Sequence, residues 1–171
     1  LSGAPDAVGD AILYALGAGG LHLAAFGLDP LRDKRMEGID TFQQDRVARV
    51  VDEAEKHLVA MTDAMKRAND QQLTTRLEQF QTAARTLIRT VEDDPRDLTA
   101  ARKYLGVYLQ GARDATAKFA DIYARSRDQK ARSDYIALLD DLERNFAARN
   151  EKLLLDDNSD LMIEIEVLQD R

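Results

Sequence analysis

Two histidines, no cysteine and a scatter of carboxylates are the whole stock from which this 171-residue chain could assemble reactive chemistry. His22 and His57 stand alone. Neither belongs to a His-x-x-x-His or Glu-x-x-His pair, the spacing that puts two metal ligands on one helical face. The absence of cysteine removes thiolate nucleophiles, disulfides and sulfur-ligated metals together. Gly17-Ala18-Gly19-Gly20 lacks the preceding strand and the lysine that a phosphate-cradling loop needs. Asp156, Asn158 and Asp160 fall at positions one, three and five of a calcium loop. Leu161 then replaces the turn glycine, and Val167 stands where the bidentate glutamate belongs. Asp93-Asp94 and Asp140-Asp141 suit helix ends and solvated faces, and Met61 and Met65 suit core filling. The residues therefore name no catalytic, cofactor-binding or metal-binding group.

The elements that would have to position such groups are helices. Leu98, Ala101, Leu105, Tyr108, Ala112, Ala115, Phe119 and Ile122 recur at alternating three- and four-residue steps, the spacing of a stripe held on one helical face. Asp94 and Pro95 open this stretch as N-cap and first helical residue. Gly106 and Gly111 lie inside it, and a bend or break is expected near Gln110-Gly111. Upstream, Val47, Val51, Ala54, Leu58, Met61, Met65 and Ala68 form one seam. Leu73, Leu77, Phe80, Ala84, Leu87 and Val91 form another, with a junction expected at Ala68 to Gln71. Downstream, Tyr135, Leu139, Leu142, Phe146 and Leu153 carry a further helix after a polar connection at Arg125 to Gln129. An acidic turn at Asp156 to Asp160 and a Ser159 cap would then begin a short last helix. Period-two alternation is nowhere long enough for a strand. The expectation is an all-α fold, an elongated bundle or array of about five amphipathic helices plus a short C-terminal helix.

Composition agrees, with 32% charged residues, 6% aromatics and three prolines. The net charge of −7 excludes a general nucleic-acid binder. The charge is uneven: Arg102 to Arg132 holds eight bases against three acids, whereas Ser133 to Arg171 holds eleven acids against four bases. These are read as solvated faces of neighbouring helices. Residues 1–29 form an apolar N-terminal segment, in which Ala11 to Leu28 lacks any charge and nears the shortest length that spans a bilayer. It is read either as a membrane-associated element or as a packing helix. Residues 30–41 read as a linker and 42–171 as the helical domain. A first residue other than Met is what a piece of a longer product would show.

Ala101-Arg102-Lys103-Tyr104-Leu105-x-x-Tyr108-Leu109, the run Phe119-Ala120-Asp121-Ile122-Tyr123, Phe146 ahead of a leucine-rich acidic stretch, and Asp160-Leu161-x-x-Glu164-Ile165-Glu166-Val167-Leu168 carry a resemblance. In this order they resemble the XpaC family, labelled 5-bromo-4-chloroindolyl phosphate hydrolysis proteins. The resemblance covers the half from Leu98 to Arg171. Gln110-Gly111 replaces the proline and threonine that the family places after Tyr-Leu. It implies no catalytic residues. It does imply a toxic-anion-resistance (TelA-like) partner and an N-terminal region near the membrane.

The functional expectation is a non-enzymatic helical interaction protein without cofactors, located in the cytoplasm at the inner face of the membrane, with homo-oligomerisation left open. Arg102, Lys103, Tyr104 and Tyr108 are its candidate recognition patch, since aromatics and arginine are enriched at interface hot spots. The alternative is a phosphate-ester hydrolase acting on indolyl phosphate, as the family label literally says.

Overall fold

The computed structural model describes residues 34–170, and among them every element is helical. The chain divides into two compact units, Leu1–Asp40 and Thr41–Arg171. The second contains the bundle. Helix α1 spans Lys34–Ala68 and α2 Gln71–Asp93; a 3-10 turn at Pro95–Asp97 leads into α3, Leu98–Lys103. A π-helical turn at Tyr104–Tyr108 joins α3 to α4, Leu109–Ser126, so that 98–126 forms one rod, and α5 spans Gln129–Gln169.

Local chemistry explains where the helices end. Asn69 takes a left-handed conformation (φ 48°) that stops α1, and Asp70 caps α2 by accepting from the Gln72 and Leu73 N–H groups. Asp94 closes α2 and caps the 3-10 turn through the Arg96 N–H, with Pro95 at the first position as expected. Arg127, also left-handed (φ 51°), ends α4, and Asp128 caps α5 through the Lys130 N–H.

Side-chain bonds show how the rods align. Gln81 donates to the Leu58 carbonyl at 2.9 Å, so α1 and α2 run antiparallel, as a short junction requires. Arg76 meets Asp140 and Glu143, and Thr90 bonds Asn150, so α2 and α5 run side by side in the same sense. Thr116 bonds the Tyr135 hydroxyl at 2.8 Å and Arg149 donates to the Tyr104 hydroxyl at 3.3 Å, which sets α5 antiparallel to the rod. His57 to Arg113 and Arg67 to Asp121 tie α1 to the rod. The enclosed core contains Leu58, Met61, Met65, Leu73, Leu77, Phe80, Leu87, Leu105, Leu109, Leu139 and Phe146, all essentially without solvent contact. His57 is the satisfied lone histidine its setting implied, and burial, then the Arg113 charge, hold its ring below the usual histidine pKa.

Four expectations are corrected. The rod does not break at Gln110-Gly111; it takes its extra residue in the π turn, around Gly106. An i→i+5 turn adds one residue to the period. The seam therefore keeps Ala112 and Phe119, as expected, but takes Leu109, Thr116 and Tyr123 in place of Tyr108, Ala115 and Ile122, and Ile122 is exposed. The Asp156 to Asp160 stretch is not a turn: α5 passes through it unbroken, and Ser159 returns its hydroxyl to the Leu155 carbonyl instead of capping a new helix. Asp, Asn and Ser are weak helix formers, each costing only about 0.5 kcal/mol against alanine, and no Gly or Pro interrupts them. The short C-terminal helix is thus the end of a 41-residue one. Helix α1 begins at Lys34, within the stretch read as a linker, and the division between the two units falls at the end of that stretch. The apolar segment Ala11 to Leu28, with His22, lies outside the described residues. Among those described, no helix is long and apolar enough to cross a membrane.

Candidate functional site

The four residues of the sequence-derived patch do not form one surface: the tyrosines pack toward α5, Arg102 borders a groove beside α1, and Lys103 touches both. Tyr104 and Tyr108 are half-buried, edge-to-face at 4.9 Å, and Tyr104 also meets Phe146 edge-on at 5.5 Å. Arg149 lies 4.9 Å over the Tyr104 ring and Lys103 5.5 Å over that of Tyr108. This aromatic group belongs to the seam between the rod and α5. Arg102 and Lys103, by contrast, are exposed and border a groove of about 600 Å³ between α1 and the rod. Val50, Leu105 and Val107 supply its apolar lining, and Arg49 adds a third cation against a single acid, Glu53. Nothing approaches within 4 Å of the place a side chain at Gly106 would occupy, so this glycine leaves the groove open there.

A second surface lies at the end of α5. Leu153 is its last buried residue. Beyond it Leu154, Leu155, Leu161, Met162, Ile163, Ile165, Val167 and Leu168 are 41 to 71% exposed. Leu154, Leu161, Ile165 and Leu168 share one face at helical spacing. Asp156, Asp157, Asp160, Glu164, Glu166 and Asp170 interrupt them, and no basic residue occurs between Lys152 and Arg171. None of these carboxylates forms an ion pair within 4 Å among the described residues. The basic Arg102 to Arg132 stretch does not neutralise this end: its Arg132 pairs with Asp70, while Arg76 takes Asp140 and Glu143.

Where α5 leaves the bundle, the neighbouring carboxylates Asp94 and Asp97 are joined by a third that the sequence holds far from them. Asp94, Asp97 and Asp157 each present an oxygen, all within 4.8 Å of one another. The sequence reading had assigned no metal-ligating residue here and explained Asp94 as a cap, which it is. Asp94 is also gripped by the exposed Arg96, whose Nη2 lies 2.6 Å from Oδ2. Asp97 is only 9% exposed, and its Oδ2 has no hydrogen-bond partner. Burial pushes the Asp97 carboxyl up to about 6; Asp157 and Asp94 push the same way against a weaker pull from Arg96.

A folded-state pKa above the ordinary 3.8 contributes stability below that value and loses it as pH rises through about 6. A shift of about two units corresponds to roughly 3 kcal/mol of penalty for the ionised form near neutral pH. Asp97→Asn removes the charge but leaves a buried amide to satisfy, so it should stabilise the chelator-treated protein by about 1–2 kcal/mol near pH 7.5. The gain should vanish below about pH 4. Thermal melts at the two pH values check this; equal melting of both proteins near pH 7.5 would refute it.

No curated protein and no solved structure matches this chain. The model of one family does, described as 5-bromo-4-chloroindolyl phosphate hydrolysis protein, over residues 7–168. The match reaches past the C-terminal half that carried the recognisable motifs, through α1 and α2 and into the apolar segment before them. It takes in the π turn, the basic-rimmed groove, the carboxylate cluster and nearly all of α5, and the chain belongs to the family of 5-bromo-4-chloroindolyl phosphate hydrolysis proteins.

Proposed function

We propose that this chain is a non-enzymatic interaction protein whose docking surface is the acidic, apolar end of α5. Its partner is a TelA-like protein offering an apolar groove bordered by Lys and Arg, at the cytoplasmic face of the membrane. The observation that carries this reading is the row Leu154, Leu161, Ile165 and Leu168, left exposed on a helix whose only charges for four turns are negative. Covering such a face gains roughly 1.5–3 kcal/mol for each leucine or isoleucine fully buried. The charge selects the occupant. Two of these ends laid together would oppose acid to acid, and an anionic lipid surface would repel them. A basic protein groove is complementary on both counts. Membrane proximity is assigned to the apolar N-terminal segment, on the family resemblance.

The hydrolase reading has less behind it. Phosphate-monoester cleavage is among the slowest uncatalysed reactions and calls for a positioned nucleophile or metal-activated water. Three clustered carboxylates repel a phosphate dianion, and the arginine beside them, Arg96, pairs with Asp94.

The test is calorimetric titration of the full chain with a purified TelA-like protein. Saturable binding that weakens with salt is expected, and Leu161→Ser, Ile165→Ser and Leu168→Ser together should weaken it at least about tenfold with an unchanged melting curve. Binding that the triple variant leaves intact would remove α5 from the interface. Light scattering of the free chain covers another occupant, a second copy whose acidic end enters the groove at Arg49, Arg102 and Lys103. A dimer that dissociates in the triple variant would replace the TelA-like partner with this chain itself. Turnover of indolyl phosphate by the purified chain would overturn the non-enzymatic reading.

A further inference from the structure

We infer that Asp94, Asp97 and Asp157 form a binding site for a hard divalent cation, best matched in size by Ca²⁺, which ties the start of the rod to α5 where it leaves the bundle. Two observations carry it. The three carboxylates present oxygens within 4.8 Å of one another, two from the 3-10 turn before the rod and one from α5. Independently, Asp97 is nine-tenths buried and its buried Oδ2 has no hydrogen-bond donor among the described residues. A buried acceptor without a partner is costly, and a cation among the three is the simplest group that satisfies it while offsetting their mutual repulsion.

The donor set specifies the class. Oxygen-only ligands without nitrogen or sulfur suit Ca²⁺, Mg²⁺ and Mn²⁺ and give little advantage to zinc or copper. Ca²⁺ holds its oxygens at about 2.3–2.6 Å in irregular geometry, which carboxylates from two elements with oxygens within 4.8 Å of one another can supply. Mg²⁺, smaller at about 2.1 Å, demands near-ideal octahedral geometry and keeps more of its water. Three monodentate carboxylates leave the remaining positions to water, which implies modest affinity.

Arg96 is the competitor. Its guanidinium already rests on Asp94, with Nε 3.0 Å from Oδ1 and Nη2 2.6 Å from Oδ2, on a side chain 74% exposed and free to swing away. Arg96→Gln should therefore strengthen cation binding, an effect that a general loss of acidic surface would not produce. Asp157→Asn, at a half-buried position past the last core residue of α5, should weaken it without endangering the fold.

The experiment is titration of EDTA-treated protein with CaCl₂, MgCl₂ and MnCl₂, followed by calorimetry and by melting temperature. One saturable Ca²⁺ site per chain is expected in the range of about 10 μM to 1 mM, with a melting-temperature rise of several degrees at saturation. Asp97→Asn and Asp157→Asn should each weaken binding at least tenfold, and Arg96→Gln should tighten it severalfold. Absence of saturable binding by any of the three cations up to about 10 mM, or equal binding by Asp157→Asn and the unaltered chain, would overturn the site. None of these readouts involves a protein partner, so the site stands or falls separately from the docking function proposed for α5.

Discussion

Truncating Phe146 to alanine is expected to remove about 3–5 kcal/mol of folding stability, out of a total that for a domain of this kind is about 5–15 kcal/mol. Phe146 has no solvent exposure. It stands edge-on to Phe80 of α2 at 5.3 Å and to Tyr104 of the rod at 5.5 Å, so one ring closes the space between three of the four packed rods. Alanine there leaves a cavity that the neighbours cannot fill: Phe80 is itself fully enclosed, and Tyr104 is held by the Arg149 guanidinium over its ring and at its hydroxyl. Urea denaturation followed by helical circular dichroism should show a lower midpoint with an unchanged slope. Phe146→Leu should cost less than half as much. Because the two rings touch, Phe80→Ala and Phe146→Ala combined should fall short of additivity by about 1 kcal/mol. A loss below about 1 kcal/mol for Phe146→Ala would mean that these helices do not share this core.

Short-range signals were legible in the sequence, and long-range alignment was not. The breaks at Ala68 to Gln71, at Asp94-Pro95 and after Arg125 follow from residues within one turn: Asp70, Asp94 and Asp128 accept the first free N–H groups of the helices they precede. Register within the rod was hidden because both candidate stripes are apolar. Choosing Thr116 over Ala115 pairs its hydroxyl with Tyr135, a partner that only the folded bundle brings within 2.8 Å. Burial pushes that tyrosine's pKa up to about 12, so its hydroxyl stays protonated and fit to donate. The acidic stretch of α5 looked like a turn because its residues favour turns. It stays helical because nothing in it forbids a helix and α5 is already anchored by Leu139, Phe146 and Leu153. Two of the three carboxylates were readable as neighbours, since Asp94 and Asp97 bracket a single turn of the chain. Asp157 joins them only because Thr90 and Asn150 set α5 alongside the end of α2, a relation that no spacing in the sequence encodes.

The second large effect is expected at Asp70, and it should depend on pH. One oxygen of its carboxylate accepts the Gln72 and Leu73 N–H groups at the start of α2; the other accepts the Tyr123 hydroxyl of α4 at 3.0 Å and Arg132 Nε of α5 at 3.1 Å. Both charged side chains are largely shielded, with 16% exposure for Asp70 and 21% for Arg132. Asp70→Ala loses the cap, about 1 kcal/mol, and leaves Arg132 Nε and the Tyr123 phenol without their acceptor while Arg132 Nη2 keeps Gln72, so the total loss should be roughly 2–4 kcal/mol. Asp70→Asn keeps an acceptor at the cap and should lose less near neutral pH. Burial by itself pushes the Asp70 carboxyl up, but Arg132, the Leu73 N–H and the Tyr123 hydroxyl together hold it below the ordinary 3.8. A depressed folded pKa contributes stability that is complete above the ordinary value and is lost as pH falls through the folded one. The difference between the unaltered chain and Asp70→Asn should therefore be largest above about pH 5 and should narrow steadily as the solution is acidified below about pH 4. Because Asp70 joins the cap of α2 to both α4 and α5, hydrogen exchange should show Asp70→Ala loosening both ends around Asn69 and Arg127 together, with the region of Phe80 and Phe146 still protected. Uniform loosening of the bundle, or a difference between the Asp and Asn forms that does not change with pH, would show that the carboxylate's charge has no such role.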